Sequence, residues 1–231
     1  MTGMVLATYK DLCIDAVDPE RMGRFWAEAL ELDLELLDDG DAKLTGPTPQ
    51  HTVWVNGVPE PLTVKQRVHL DVWADAYDDV EALGATMVDA ESFTWAVLRD
   101  PEGGERCVFR TRPEGRPGLM EVVLDTRDVE SAKAISVWWA DVLGGKAMDA
   151  VEDGFSYVEQ VPEAPFESLV FVPVPEPKTV KNRIHIDVST PDLDALLTRG
   201  ATVVRPQDGE IGWTVMADPD GNEFCAFVPA R

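Results

Sequence analysis

The sequence predicts an α+β fold made of two tandem domains, because a long phrase is repeated and one order of strands and helices recurs along the chain. Residues 59–72 read PEPLTVKQRVHLDV and residues 175–188 read PEPKTVKNRIHIDV, with ten of fourteen positions identical at an offset of 116. A repeat this long indicates a duplicated domain, since solenoid units are usually about 20–50 residues long.

The domain boundaries follow from the segment that separates the two copies. Residues 110–118 read RTRPEGRPG, which is rich in proline, glycine and arginine and has no apolar periodicity. Such a composition is typical of a linker. We therefore predict domains over residues 1–111 and 118–231, joined by a linker over residues 112–117.

Each domain is predicted to contain the order strand–helix–strand–strand–strand twice. Alternation over residues 11–16 predicts the first strand, and Asp18-Pro19 is a typical helix start. The helix face that would be buried carries Met22, Phe25, Trp26, Ala29 and Leu30. Three short strands follow near residues 33–37, 42–45 and 51–55. In the last module, Thr190-Pro191 is predicted to cap the helix.

Composition and charge restrict the partners and the location. The formal net charge is −23, which disfavours nucleic acid and anionic membranes. No apolar run is long enough to span a membrane, and the N-terminus lacks the pattern of a signal peptide. Three cysteines without a CxxC pair are typical of a reducing compartment. We predict a cytoplasmic protein, monomeric or homodimeric.

The repeated phrase contains a strand with one polar face. Val68, Leu70 and Val72 alternate with Arg67, His69 and Asp71, and the second copy retains Arg183, His185 and Asp187. One interpretation is a buried network in which the carboxylate orients the imidazole and the arginine balances its charge. The other is that the three side chains line a cavity.

Other strands add acids and thiols to the same faces. The last strand of each copy carries Glu105 and Cys107, or Glu223 and Cys225, and the first strand carries Asp11 or Glu121. Carboxylate, imidazole and thiolate together are able to bind a divalent metal. A single cysteine is more often a small apolar core residue.

Three features resemble one known superfamily. They are the modules themselves, the helix ending Phe25-Trp26-Ala-Glu-Ala-Leu30, and the turn Asp218-Pro-Asp-Gly-Asn222. They resemble the vicinal oxygen chelate superfamily, which includes glyoxalases, extradiol dioxygenases and bleomycin-resistance proteins. The repeated phrase looks like its glyoxalase-like branch. The resemblance implies that each domain pairs two βαβββ modules into a cupped mixed sheet, with helices outside and a pocket inside.

The resemblance also implies positions for metal ligands. Carried over by position, these are Asp11, His69 and Cys107 in one domain, and Glu121, His185 and Cys225 in the other. Metal-using relatives place glutamate where this sequence has Cys107 and Cys225, and Glu105 and Glu223 lie two residues earlier. We therefore favour no metal cofactor, with a divalent metal as the alternative.

Further residues are candidates for the pocket. His51 and Glu167 occupy equivalent places before the central phrase and are predicted cavity groups. Tryptophans on or beside strands either stack on a flat ligand or belong to the core; these are Trp54, Trp73, Trp95 and Trp213, of which Trp54, Trp95 and Trp213 are predicted ligand-binding residues. The helical Trp26, Trp138 and Trp139 are predicted core residues.

The first hypothesis for function is a glyoxalase-like protein that binds a small molecule without a standard metal centre, in resistance, sequestration or tailoring of a natural product. If it is an enzyme, His69 or His185 would be the general acid/base, oriented by Asp71 or Asp187. The alternative is a metal-dependent lyase, isomerase or dioxygenase that acts on a substrate with adjacent oxygens. A third hypothesis is a protein that only mediates association.

Overall fold

A computed structural model describes residues 5–115, 118–150 and 154–229 of the chain. The predicted linker over residues 112–117 is described as far as Gly115, so its last two residues lie outside the described part. The first four residues and the last two residues of the predicted domains also lie outside it.

The first half of the chain forms two modules with the predicted order of elements. Module 1 consists of β1 (Thr8–Ala16), α1 (Pro19–Leu30), β2 (Asp33–Leu36), β3 (Ala42–Thr45) and β4 (Val53–Gly57). Module 2 consists of β5 (Val68–Trp73), α2 (Tyr77–Ala82), β6 (Thr86–Asp89), β7 (Ala96–Arg99) and β8 (Glu105–Phe109).

The second half repeats this organisation. Module 3 consists of β9 (Leu119–Thr126), α3 (Val129–Leu143), β10 (Lys146–Ala150), β11 (Phe155–Glu159) and β12 (Ser168–Pro173). Module 4 consists of β13 (Ile184–Ser189), α4 (Leu193–Thr198), β14 (Thr202–Arg205), β15 (Thr214–Ala217) and β16 (Glu223–Phe227).

The modules pair into two mixed, eight-stranded sheets, so the predicted α+β class with paired βαβββ modules is confirmed. Sheet 1 has the order β14-β15-β16-β13-β1-β4-β3-β2, and sheet 2 has the order β10-β11-β12-β9-β5-β8-β7-β6. At the centre of each sheet the first strands of two modules are antiparallel, β1 with β13 and β5 with β9.

The partners in each sheet differ from the expectation that they come from the same half of the chain. Sheet 1 combines modules 1 and 4, and sheet 2 combines modules 2 and 3. The reason lies in the connection between the halves. Strand β8 is parallel to β5 while β9 is antiparallel to it, so β8 ends at the sheet edge where β9 begins. A short linker therefore joins modules 2 and 3, and module 1 pairs with module 4.

The predicted N-terminal cap is confirmed for helix α1 and is wrong for helix α4. Helix α1 begins as predicted, with Asp18 Oδ1 accepting a hydrogen bond from the backbone N–H of Arg21 at 3.0 Å. Helix α4 is capped by Asp192, which accepts from the N–H groups of two residues in the first turn. Thr190 is not the cap, because its hydroxyl donates to the carbonyl of Leu6 at 2.8 Å.

The helical tryptophans are core residues, as predicted. Trp26 and Trp139 are almost completely buried, and Trp138 is 8% exposed. The guanidinium of Arg106, in sheet 2, lies 4.2 Å from the ring of Trp26 on α1. Phe224, in sheet 1, packs 5.3 Å from Trp139 on α3. Each long helix thus contacts the sheet to which its own module does not belong, and both sheets share one core. None of the helices in the described residues is long and apolar enough to cross a membrane.

Candidate functional site

The polar faces of the central strands carry the candidate site of each sheet. On β13, Ile184, Ile186 and Val188 belong to the core, so His185 and Asp187 lie on the opposite face. Strand pairing sets Asp187 opposite Asp11 on one side and opposite Cys225 on the other. A row of acid, acid and thiol therefore crosses three strands. We call this cluster, with Cys13 and His185, site 1.

Sheet 2 carries the equivalent cluster, which we call site 2. Asp71 lies opposite Glu121, and His69 lies opposite Val123. Cys107 completes the cluster, because its backbone N–H donates to Asp71 Oδ1 at 3.2 Å. Site 2 therefore consists of His69, Asp71, Cys107 and Glu121.

These clusters correct the grouping of ligands that the sequence suggested. Asp11 lies with His185 and Cys225, not with His69 and Cys107, and Glu121 lies with the latter two. The cause is the pairing of modules across the halves, which exchanges the first-strand acids between the two sets. Every site consequently draws residues from both halves of the chain.

The imidazole of site 1 contacts the thiol and one carboxylate through a single nitrogen. His185 Nε2 lies 3.3 Å from Cys225 Sγ and 3.4 Å from Asp187 Oδ1. Its Nδ1 is buried and has no hydrogen-bond partner among the described residues. Asp187 and Cys225 thus face the same imidazole nitrogen.

The first-strand acid of site 1 is neutralised by a neighbouring lysine. Lys10 Nζ lies 2.5 Å from Asp11 Oδ2, and the indole N–H of Trp54 donates to the same oxygen at 3.2 Å. Burial, followed by the negative charge of Asp187, raises the pKa of Asp11 to about 6. The other oxygen, Oδ1, is buried without a hydrogen-bond partner in the described residues.

The thiols of site 1 are protonated at neutral pH. Burial, and then the charge of Asp187, raises the pKa of Cys225 well above its usual value. Burial likewise raises the pKa of Cys13, whose sulfur accepts a hydrogen bond from Asn56 Nδ2 at 2.9 Å. Because the thiolate is the nucleophile and the metal ligand, neither sulfur is activated in this environment.

A cavity opens over site 1. Its volume is about 410 Å³, within the usual range for a small-molecule pocket. His185, Asp187 and Cys225 lie in its lining, and the aromatic part of its wall is formed by Trp54, Trp213 and Phe227. Trp213 and Phe227 are stacked with their centroids 5.4 Å apart. Polar groups and flat apolar surfaces therefore converge on one space.

Site 2 has the same core of ligands and a different electrostatic setting. His69 Nε2 lies 3.3 Å from Asp71 Oδ1, and Ser168 Oγ donates to Glu121 Oε1 at 2.5 Å. Burial raises the pKa of Glu121 to about 7, and the charges of Asp71 and Glu167 act in the same direction. Burial also raises the pKa of the Cys107 thiol. The cluster therefore concentrates acidic groups in a poorly solvated place.

Four aromatic side chains of module 2 pack together, and one of them, Trp95, lies next to Cys107 of site 2. Trp95 is stacked between Phe93 and Phe109, at centroid distances of 5.0 and 5.2 Å, and Phe109 also contacts Trp73. In sheet 1, Ile211 and Ser189 hold the positions of Phe93 and Trp73. The equivalent tryptophans Trp95 and Trp213 thus have different aromatic neighbours.

The two arginines of the repeated phrase connect the halves of the chain. Arg67 donates from Nη1 to the carbonyl of Glu176 at 2.5 Å, and Arg183 donates to the carbonyl of Glu60. Arg183 also lies 3.2 Å from the carboxylate of Glu102. Both guanidiniums therefore bind the opposite copy of the phrase, which is a structural role besides the predicted one at the pocket.

The remaining predicted residues are distributed between the sites and the surface. Glu223 lines the cavity of site 1 and pairs with Lys178 at 2.7 Å, whereas Glu105 pairs with Arg99 at a more exposed position. Glu167 lies near Glu121 in site 2.

His51 lies in a 3₁₀ turn instead of the predicted strand. Its Nδ1 is 2.9 Å from the hydroxyl of Thr48, and partial burial lowers its pKa. It lines a small apolar pocket with Tyr9 and Leu12, which is not the cavity of site 1. The proline at position 49 begins this turn, so β4 starts only at Val53.

Sequence reasoning missed Lys10 as a site residue. Strict alternation would place Lys10 and Asp11 on opposite faces of β1. A bulge interrupts the register between Tyr9 and Asp11, and the lysine reaches the cavity of site 1. No signal in the local sequence marks this bulge.

Paired βαβββ modules, with polar clusters at the junction of each pair, define the vicinal oxygen chelate fold. The family model for the glyoxalase-like domain matches residues 11–109 and 121–227, and the chain belongs to this family. Among curated proteins, none matches its sequence.

Solved structures show the same fold at low sequence identity. Glyoxalase I from Zea mays is 14% identical, with a TM-score of 0.64 over 95% of this chain and 92% of that one. A putative dioxygenase from Bacillus subtilis is 13% identical, with a TM-score of 0.62 over 99% of this chain and 87% of that one. At these identities the likeness concerns the fold alone.

Proposed function

We propose that this glyoxalase-like protein binds a small, partly aromatic molecule at site 1 without a metal ion. The observation that carries the proposal is the cavity of about 410 Å³ over His185, Asp187 and Cys225. Pockets of this size, with apolar walls and a few convergent polar groups, are typical small-molecule sites.

The walls favour a flat ligand. The stacked pair Trp213 and Phe227 presents aromatic surface to the cavity, and Trp54 adds a third ring. Asp187 lines the cavity beside His185, and its carboxylate suits a hydroxyl or N–H donor on the ligand. We infer an aromatic or heteroaromatic compound that carries such a donor.

The residues of site 1 suit non-covalent binding of a ligand better than covalent catalysis. The Cys225 thiol is protonated, and the ammonium of Lys10 already neutralises Asp11. Cys225 is therefore not a thiolate nucleophile, and the ammonium of Lys10 would compete with a cation for Asp11. Sequestration of a natural product is the role that this arrangement supports. The strongly acidic surface and the three free cysteines support a cytoplasmic setting without nucleic-acid partners.

The test compares two equivalent tryptophans. A panel of small aromatic compounds is titrated into chelator-treated protein, and binding is followed by ligand-observed NMR. Trp213→Ala should weaken the binding of a hit by about 10-fold, because one stacked ring is lost. Trp95→Ala, the matched change at site 2, should leave the dissociation constant unchanged within about 2-fold. Equal loss in both variants, or no binder in the panel, would contradict the proposal.

A second candidate function is metal-dependent chemistry, for which both sites hold a histidine, an aspartate and a cysteine; we assign it to site 2, where no lysine contacts the first-strand acid among the described residues. His69, Asp71 and Cys107 each offer one ligand atom, and these atoms lie within 4.8 Å of one another. Nitrogen, oxygen and sulfur ligands together suit zinc or a similar divalent ion. A bound ion would polarise a substrate that has adjacent oxygens. Elemental analysis of protein purified without an affinity-tag metal tests this function, and stoichiometric metal lost on His69→Ala would support it.

A further inference from the structure

One of the positions at which the two sites differ is a bulge in the first strand of modules 1 and 3. In sheet 1, Tyr9 pairs with Val188 and Asp11 with Asp187, so Lys10 is the extra residue of a bulge. In sheet 2, Leu119 pairs with Val72 and Glu121 with Asp71, so Met120 is the extra residue. Both bulges directly precede the first-strand acid. The chain therefore places a cation at this position in one site and a neutral thioether in the other.

The lysine places its charge inside site 1. Its ammonium lies 2.5 Å from Asp11 Oδ2 and 4.2 Å from the centre of the Phe227 ring, and the side chain lines the cavity together with His185. Asp11 Oδ2 also accepts from Trp54. A divalent cation would have to compete with this ammonium for the same carboxylate, and the two like charges would repel each other at short range.

In the described part of the chain, no ammonium or guanidinium group contacts the acids of site 2 directly. Within residues 5–115, 118–150 and 154–229, neither Asp71 nor Glu121 forms an ion pair with a lysine or an arginine. Lys65 and Arg67 lie beside Asp125, as Lys181 lies beside Asp15 in sheet 1. Asp71 contacts the imidazole of His69 and the backbone N–H of Cys107, and Glu121 accepts from the hydroxyl of Ser168.

We propose that the bulge residue decides which site takes a divalent cation: Lys10 excludes it from site 1, and Met120 leaves site 2 open to it. This inference rests on the second candidate function and assigns it to one site. The two sites then have separate tasks, organic ligand binding at site 1 and cation binding at site 2.

The donor atoms of site 2 fit the proposed ion. Ligands of a tetrahedral zinc or cobalt ion at about 2.0–2.3 Å from the metal lie about 3.3–3.7 Å from one another. His69 Nε2 and Asp71 Oδ1 are 3.3 Å apart, and Cys107 Sγ lies within 4.8 Å of both. Glu121, directly opposite Asp71, supplies a further carboxylate. Binding would release the proton of the Cys107 thiol.

Titration of chelator-stripped protein with Co²⁺ tests the inference, with stoichiometry from equilibrium dialysis and the thiolate-to-cobalt absorption band as readouts. The native chain should bind one equivalent. His69→Ala should abolish binding, whereas the matched change His185→Ala should leave one equivalent. Met120→Lys should weaken binding by about 100-fold or more, because it introduces the charge found in site 1. Lys10→Met should raise the stoichiometry to two.

The controls separate charge from misfolding. Met120→Gln changes the side chain without adding charge and should retain one equivalent. We expect Lys10→Met to bind a second equivalent of Co²⁺, and misfolding of the variant would not produce that increase. Two equivalents or none in the native chain, full binding by Met120→Lys, or a single equivalent in Lys10→Met would each overturn the inference. The aromatic panel in excess chelator tests site 1 alone, so failure of ligand binding and failure of cation assignment are distinguishable.

Discussion

At the scale of single residues, alternation predicted which side chains share a polar face, but not all of their neighbours. His69 and Asp71 lie on the face opposite the buried Leu70, as the period of a strand requires. Lys10 could not be predicted in the same way, because it reaches site 1 through a bulge. A bulge depends on how two strands pair, and the sequence of one strand does not determine that pairing.

The repeat allows the buried carboxylate of Asp100 to be compared with its equivalent, Asp218. Arg106 pairs with Asp100 at 2.5 Å, and both side chains are almost fully buried. The equivalent residues in module 4 are Phe224 and Asp218, and there the indole N–H of Trp139 donates to Asp218 at 3.1 Å. The indole nitrogen of Trp26 is buried and has no partner among the described residues, since Arg106 holds Asp100.

We therefore expect Arg106→Ala and Arg106→Phe to differ in stability. The alanine variant leaves Asp100 buried without its partner and should lose about 3–5 kcal/mol. The phenylalanine variant allows Trp26 to donate to Asp100, as Trp139 does to Asp218, and should lose at least about 1 kcal/mol less. Urea denaturation measures both values. A phenylalanine variant as unstable as the alanine variant would contradict this account.

At the scale of elements, the repeated phrase has a structural explanation that the sequence did not reveal. It joins the last strand of one module to the first strand of the next. Its arginines donate to the carbonyls of Glu176 and Glu60, which lie in the opposite copy. Retention of the phrase in both copies thus reflects a reciprocal connection as well as the polar face of β5 and β13. The sequence pattern alone does not show whether the phrase is retained for the connection between the halves or for the polar face of the strand.

The connection predicts a contrast between two substitutions. Arg67→Met should destabilise the protein by about 1.5–3 kcal/mol, because the charge-assisted hydrogen bond from the buried guanidinium to the carbonyl of Glu176 is lost. Glu176→Ala should change stability by less than about 0.5 kcal/mol, since the backbone and not the side chain of Glu176 accepts the bond. Thermal and urea unfolding provide the comparison. Equal losses in the two variants would show that the guanidinium binds the side chain instead.

At the scale of the whole molecule, the sequence predicted four modules and the fold class, but not their partners. The offset of 116 identified equivalent strands, and the family match over residues 11–109 and 121–227 agrees with the two copies. The choice of partner depends on the reach of the linker and the direction of β8 and β9. Those are properties of the assembled sheet. The candidate ligands were therefore identified while the first-strand acids were assigned to the wrong partners.

Because the modules pair across the halves, each site contains residues from both copies of the domain. The two sites differ in the residues that these copies contribute. Site 1 contains Lys10 and a cavity with aromatic walls, whereas site 2 has Met120 and an acidic cluster. The central claim is that one site binds an organic molecule and the other a divalent cation.

An anomalous difference map from a crystal soaked in Co²⁺ tests this claim most directly. We predict one peak, located between His69, Asp71 and Cys107 with Glu121 beside it. Such a peak would place residues from both halves of the chain around a single ion. A peak beside His185 and Cys225, whether alone or in addition, would contradict the division of tasks between the two sites.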